Sequence, residues 1–306
     1  MRIGVVIPAF NAEQWIGDAI ASVLAQTHRD WWLVVVDDGS TDGTSEVVSR
    51  FSDSRIRLVR QANAGVAAAR NRGICNASEA VLFLDADDTL APDAMSRLGR
   101  SLAAAPGAVA SVGAYAYTHC RRSRMPPSGE LLERLLVGNL FANCGHLLIR
   151  REALNAAGGF RAELAFGEDW EFCIRLAMCG PFAAIPDRSP VLFVRQHNGG
   201  TYRRLAMYPA SFVPCTAAIF ANPTLTVRFD PARLTSIRRR TEAENAWIVG
   251  RELLRQGNTR DGRSRLWGSF LAAPSTRHAL LLLASLLRLG PFTRYPSEAS
   301  PAGTAT

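Results

Sequence analysis

Four short strand-like runs, Ile3–Pro8, Trp32–Val36, Ile56–Val59 and Ala80–Leu84, fall early in the chain, and all but the third, which carries Arg57, show no polar alternation. A strand wetted on one face alternates apolar and polar residues, so a run that does not is covered on both faces. Segments of helical spacing separate the runs. Trp15, Ile16, Ala19, Ile20, Val23 and Leu24 share one face behind a candidate cap at Asn11, and a small-residue helix is predicted over about 64–74. This alternation predicts an α/β fold, a mostly parallel sheet flanked by helices. Such sheets bind ligands at the carboxyl ends of their strands. The loops carrying Asn11, Asp37/Asp38 and Asp85/Asp87/Asp88 are therefore expected to converge.

The fourth run is the most informative. Val-Leu-Phe-Leu-Asp-Ala-Asp-Asp, residues 81–88, delivers three carboxylates to the end of a rigid strand. Asp is common after strands as a turn former or helix cap. Crowded acids also repel, and a divalent cation that completes its shell with phosphate oxygens relieves the repulsion. The two readings separate only if other segments point to the same place.

Length and charge bound the remaining possibilities. At 306 residues the chain has room for about two domains. Its six cysteines, at 75, 120, 144, 173, 179 and 215, include no Cys-x-x-Cys pair, which argues for reduced thiols and against a zinc site. A strand-like start at Ile3 leaves no room for a signal peptide, and the expectation is a cytoplasmic protein, peripheral at most at the inner face of a membrane. All 35 cations are arginine. Residues 1–190 hold 19 arginines against 21 acids, whereas residues 191–306 hold 16 against 6. That excess favours an anionic partner, such as a membrane surface. No nucleic-acid-binding motif accompanies it, so nucleic acid is not expected.

Further along, residues 119–129 read as an irregular basic loop, His146 to Ile149 and Val191 to Val194 as strands, and Glu168 to Cys179 as a helix. Beyond about 205 the pattern turns helical, notably over 232–256 and 260–272. The apolar run 279–289 is too short to span a bilayer and is either packed or interfacial. The expected organisation is an α/β domain over 1–204, a basic helical region over 205–292 and a disordered tail over 293–306.

Five segments in order resemble family-2 glycosyltransferases: Val-Val-Ile-Pro-Ala-Phe-Asn (5–11), Val-Val-Asp-Asp-Gly-Ser-Thr-Asp-Gly-Thr (35–44), Ala-Ala-Arg-Asn-Arg-Gly-Ile (68–74), Leu-Asp-Ala-Asp-Asp (84–88) and Gly-Glu-Asp-Trp-Glu-Phe-Cys-Ile-Arg-Leu (167–176). The resemblance covers roughly residues 1–200. It implies a glycosyltransferase A-type fold and an inverting, metal-dependent transfer of sugar from a nucleotide-sugar to a glycan or lipid-linked acceptor, in cell-surface polysaccharide or glycolipid synthesis.

Site residues follow from the same resemblance. Asp38 would accept a hydrogen bond from the base, which suits uracil and a UDP-sugar, with Pro8, Phe10 and Asn11 lining the nucleoside pocket. Asp85, Ala86 and Asp87 form the Asp-x-Asp stretch at the ribose and diphosphate, and Asp87 with Asp88 would hold Mn²⁺ or Mg²⁺. Asp169 matches the catalytic base. Arg70 either faces the nucleotide or pairs with Asp38 or Asp87. His197 falls where the family often places an arginine or histidine near the diphosphate. Trp170 is either core or an acceptor platform. The competing class is a non-catalytic nucleotide- or sugar-binding protein on the same scaffold. A dehydrogenase is not expected, because no Gly-x-Gly-x-x-Gly follows the first strand.

Overall fold

The computed structural model describes residues 1–74, 78–118, 122–197 and 200–286, with the backbone alone at 277 and 281. The expected tail over 293–306, the end of the 279–289 run, the start of the 119–129 loop, Cys75 and Cys120 lie outside the described residues. The strands are β1 (Ile3–Ala9), β2 (Trp31–Asp37), β3 (Ile56–Arg60), β4 (Ala80–Phe83), β5 (Thr89–Leu90), β6 (Ala110–Val112), β7 (Ala114–Tyr117), β8 (Leu147–Arg150), β9 (Phe182–Ala184) and β10 (Pro190–Val194). The helices are α1 (Ile16–Leu24), α2 (Thr44–Ser49), α3 (Val66–Gly73), α4 (Ala94–Ala104), α5 (Leu132–Val137), α6 (Arg151–Ala157), α7 (Glu168–Cys179), α8 (Thr201–Leu205), α9 (Pro209–Phe220), α10 (Pro223–Arg228), α11 (Pro231–Arg255), α12 (Thr259–Ala272) and α13 (Thr276–Leu286).

Backbone contacts divide the chain into two units. The first comprises Met1–Leu135 and Asn139–Gln196, and the second Leu136–Gly138 and His197–Thr306. In the first unit a seven-stranded sheet runs in the order β3-β2-β1-β4-β8-β6-β9. β1 is parallel to β2 and β4, and β2 to β3. β8 is antiparallel to β4 and β6, while β6 and β9 are parallel. The sheet is therefore mostly parallel, and every residue of β1 and β4 is buried, as non-alternating runs require. The chain builds outward from β1 to β3, then crosses back to place β4 on the other side of β1. That reversal opens a crevice at the carboxyl ends of β1 and β4.

A three-stranded sheet, β5-β10-β7, was not foreseen. β5 is two residues and β6 and β9 three each, too short to show a period. The 119–129 segment is also less irregular than expected, since Arg124 and Gly129 form isolated antiparallel bridges to Tyr115 and Phe182. Asn11 does not cap α1. Trp15 holds that position, and Asn11 takes φ 49°, left-handed for a non-glycine residue.

In the second unit, Trp247 and Leu254 of α11, Leu266 of α12 and Leu282 of α13 form a small core, with Phe270 packed against it. The His278 ring stacks on Trp247 with centroids 4.5 Å apart. The 279–289 run thus resolves into two faces where it is described: Leu282 and Ser285 are buried, while Leu280, Leu283 and Leu286 are exposed. Among the described residues no helix is long and apolar enough to cross a membrane.

Gly73 fixes how α3 lies on the sheet. A Cβ there would sit 2.3 Å from Val6 Cγ1 and 3.2 Å from Val36 Cγ2. Gly73→Ala is expected to cost about 1–3 kcal/mol through overpacking. Urea unfolding of the variant, read as a lower midpoint at unchanged slope, checks this.

Candidate active site

The loops after β1 and β2 are laced together by their own polar groups. The Asp38 N–H donates to the Ala9 carbonyl at 2.8 Å and the Asn11 N–H to Ser40 Oγ at 3.0 Å. Asn11 Oδ1 accepts from the Thr41 N–H at 2.8 Å. The left-handed turn at Asn11 is what aims its amide across the gap. Pro8 and Ala9 are buried in β1, and the next residue, Phe10, is 51% exposed at the rim.

Asp37 and Asp38 divide the work between turn and crevice. Asp37 accepts from the Ser40 N–H at 2.9 Å and from Ser45 Oγ. Against the cost of burial, these hydrogen bonds lower its pKa. Asp37 also lines a small cleft of about 200 Å³ with Ser40, Asp42, Arg60 and Gln61, which excludes Asp38, Asp85 and Asp87. Asp38 turns toward α3. Its Oδ1 accepts from Gln61 Nε2 at 2.7 Å and the Ala64 N–H at 2.9 Å, and its Oδ2 from the Gly65 N–H at 2.8 Å. A carboxylate oxygen accepts two hydrogen bonds, so one position on Oδ2 is unfilled by these contacts. Gly39 makes this approach possible: its φ is +78°, and a Cβ would meet the Asn63 nitrogen at 2.8 Å.

The acid cluster is not three equivalent carboxylates. The Asp88 N–H bonds the Asp85 carbonyl at 3.1 Å, closing the turn. Asp88 is buried, and both oxygens are engaged: Oδ1 accepts from the Arg195 N–H at 2.9 Å and Oδ2 from Asn143 Nδ2 at 2.7 Å. Burial, reinforced by the charges of Asp87 and Asp85, holds its pKa well above the carboxylate range. Asp85 Oδ1 pairs with Arg70 at 2.8 Å, and its Oδ2 accepts from the same Asn143 amide at 3.0 Å. Ala86 is buried between them, and Asp87 is partly exposed. Arg195 Nε donates to the Asp87 carbonyl at 3.0 Å, and its guanidinium reaches Asp18 at 2.9 Å while lying over the Trp15 ring. The end of β10 therefore braces the backbone of the cluster.

Arg70 joins the two halves of the site. It is almost fully buried on α3 and donates to Asp85 at 2.8 Å and to Glu168 Oε1 at 2.8 Å. Burial opposes its charge, but the two carboxylates outweigh burial and raise its pKa. Of the pairings the sequence suggested, neither Asp38 nor Asp87 receives an Arg70 hydrogen bond among the described contacts. Glu168 opens α7, and Asp169 follows. Asp169 Oδ1 accepts from the Trp170 N–H at 2.7 Å, and Asn139 Nδ2 lies 3.4 Å from Oδ2. Burial first and the Glu168 charge second push the Asp169 pKa up to about 7. Trp170 is core, with its indole N–H bonded to the Leu135 carbonyl at 2.6 Å.

Among the described residues no group of three His, Cys, Asp or Glu side chains could hold a metal ion. Asp87 is the partly exposed side chain next to the inward-turned Asp88, and Asp85 is paired with Arg70. Such a set fits a hard cation that takes one or two carboxylates and draws its other ligands from phosphate and water. His197 is half-buried and belongs to the second unit. His146, of which the sequence made nothing, is structural. Burial lowers its pKa to about 4, its Nδ1–H donates to the Gly113 carbonyl at 3.1 Å, and Nε2 accepts from the Ala142 N–H at 3.2 Å. The sequence assigned no role to Asn143 or Arg195 and placed Glu168 only at the start of a helix and within the 167–176 motif. Only the Arg195 neighbourhood carried a local signal, in the residues leading to His197.

This crevice, with acids after β2 and β4 of a mostly parallel sheet, is that of an α/β protein whose strand ends gather carboxylates. The glycosyl transferase family 2 model matches residues 4–158, and the chain belongs to that family. It is 30% identical over 195 residues to the uncharacterized glycosyltransferase EpsJ of Bacillus subtilis, spanning 59% of this chain and 54% of that protein. It is 46% identical over 88 residues to the UDP-Glc:alpha-D-GlcNAc-diphosphoundecaprenol beta-1,3-glucosyltransferase WfgD of Escherichia coli, spanning 28% and 35% of the two. A Rickettsia felis uncharacterized glycosyltransferase is 46% identical over 30% of this chain, but the match covers only 16% of that protein. The matches thus span about half or less of these relatives. Among solved structures, S. aureus TarS 1–349 in complex with UDP-GlcNAc superposes with a TM-score of 0.69 at 17% identity, covering 94% of this chain and 88% of that one. The mannosyltransferase PcManGT from Pyrobaculum calidifontis, in complex with GDP-Man and Mn²⁺, gives 0.59 at 22%, covering 95% and 81%. Both share the fold.

Two outcomes test the electrostatics. Arg70→Met strands Asp85 and Glu168 without their shared cation, and a loss of about 3–5 kcal/mol in chemical unfolding is expected. Asp169→Asn acts oppositely. A carboxyl whose folded pKa lies above its unfolded value binds a proton more tightly when folded, so stability is lost as pH rises from the ordinary carboxylate range, and the full cost stands above about 7. The variant should therefore melt higher than the wild type at pH 8, with a smaller gain at pH 5, in paired calorimetric scans.

Proposed function

We propose that the chain is an inverting glycosyltransferase that moves a sugar from a nucleotide-sugar to an acceptor hydroxyl. The observation that carries this reading is the Arg70 bridge, which ties Asp85 on the donor side to Glu168 beside Asp169. Asp169, with its pKa near neutrality, suits a general base at working pH. Its carboxylate takes the proton from the acceptor hydroxyl as that oxygen attacks the anomeric carbon. The bond to the diphosphate breaks on the opposite face, and the configuration inverts. The leaving group departs as the nucleoside diphosphate, with Asp85 at its ribose and Asp87 toward the phosphates. A bound Mn²⁺ or Mg²⁺, held by Asp87, would supply charge stabilisation to those phosphate oxygens. Asp88 fixes the turn behind Asp87 through Asn143 and Arg195. Pro8, Phe10 and Asn11 form the wall of the nucleoside pocket, and Asp38 offers the remaining Oδ2 position to the uracil N–H.

A UDP-sugar is the proposed donor, supported by the UDP-GlcNAc in the TarS complex and the UDP-Glc in the name of WfgD. A lipid-linked glycan of a cell-surface polysaccharide is the proposed acceptor, supported by the diphosphoundecaprenol substrate in the WfgD name. Such an acceptor would bring the chain to the inner face of a membrane, where its arginine-rich C-terminal third meets anionic lipid.

A panel of UDP- and GDP-sugars, assayed for thermal stabilisation with and without Mn²⁺ and for hydrolysis or transfer, tests the reading. A UDP-sugar should stabilise the protein, more with metal, and Asp169→Asn should lower turnover by about 10²–10⁴-fold while leaving donor binding intact. Turnover rising with pH through about 7 would report the same carboxylate. Donor binding with no turnover in the wild type would favour a non-catalytic binding protein, and turnover unchanged by Asp169→Asn would remove the base.

A further inference from the structure

Among the described residues, the exposed large apolar side chains are distributed unevenly. Apart from Met1 and Phe10, all of them lie in the second unit. The densest set belongs to one hairpin, α12 and α13, joined by residues 273–275. Trp267 and Leu271 stand one turn apart on α12, and Leu280, Leu283 and Leu286 follow at three-residue steps on α13. Each is between 53% and 68% exposed. The opposite faces are spoken for: Leu266 and Ser269 of α12 and His278, Leu282 and Ser285 of α13 are buried. Each helix therefore carries two apolar faces, one consumed by the core and one presented to solvent. Soluble proteins seldom expose such clusters without a use for them.

The charge on the hairpin selects the occupant. α12 carries Arg260, Arg263 and Arg265 against the single acid Asp261, and α13 carries no acid. Arg260 and Arg265 are exposed. Arg260 lies seven residues before Trp267, on the same ridge of the helix. A second copy of this chain would bring a like-charged face against it. An anionic bilayer satisfies both features together, with Trp and Leu entering the acyl boundary and Arg reaching lipid phosphate.

We propose that the α12–α13 hairpin is a membrane-docking element, which inserts Trp267, Leu271, Leu280, Leu283 and Leu286 into the interface of an anionic lipid surface with Arg260 and Arg265 at the headgroups. This sharpens the membrane contact proposed above and rests on it, but not on the chemistry of the active site. Peripheral docking by this hairpin would bring the chain to a lipid-borne acceptor without any spanning helix.

Vesicle sedimentation of the full chain tests it. The wild type is expected to pellet with phosphatidylglycerol-containing vesicles and far less with pure phosphatidylcholine, with binding weakened by salt. The combined variant Trp267→Ser, Leu280→Ser, Leu283→Ser should bind about tenfold or more weakly, given the apolar area removed. Arg260→Gln with Arg265→Gln should lose the preference for anionic lipid, and this second variant leaves the apolar faces untouched. Thermal melting certifies that each variant is folded, and UDP binding without vesicles reports on the transferase reading alone. Absence of wild-type binding to the anionic vesicles would overturn the proposal, as would unaltered binding by both variants. A concentration-dependent dimer in sedimentation velocity, abolished by the apolar substitutions, would assign the ridge to a second copy instead.

Discussion

A buried guanidinium shared by two carboxylates organises this protein. Arg70 lies on α3, Asp85 follows β4, and Glu168 opens α7, three elements far apart in sequence. Any one of the three charges alone in that setting would be costly to bury, and together they are mutually required. The position of Arg70 depends in turn on Gly73, one turn later, which lets α3 lie against Val6 and Val36 of the sheet. A packing requirement in the core thereby sets the geometry of the crevice.

The same arrangement explains how neighbouring acids acquire different characters. Asp37 is surrounded by donors and is acidified. Asp88 is buried with two donors yet beside two like charges, and is pushed the other way. Asp169 sits next to Glu168, whose own partner is Arg70, and receives the repulsion of the first with only part of the attraction of the second. Carboxylates at strand and helix ends thus differ in pairing, burial and pKa through their surroundings alone.

The parallel sheet was legible because β1, β2 and β4 are apolar and unalternated and lie between helical segments, and the burial of β1 and β4 is a local consequence of composition. α7 was legible to the residue, and so was the meeting of the loops after β1 and β2. The strands β5, β6, β7 and β9 were not, because elements of two to four residues carry no period and exist only through their partners. Asn11 illustrates a subtler miss. Its type and place suggested a helix cap, but Thr41, thirty residues away, offered its amide oxygen a better use. Asn143 bridges Asp85 and Asp88 from a loop with no recognisable pattern, and nothing in its neighbours announces it.

By itself, then, the sequence determined the class of fold, the strand ends at which the acids gather and the family to which the chain belongs, because these depend on hydrophobic pattern and ordered short motifs. Only the tertiary structure decided which acid is paired, which is buried, which is partly exposed, and which face of α13 is core and which is presented to solvent. Those outcomes depend on desolvation and on charges brought close by folding, and both are set by distances in space that sequence separation does not encode.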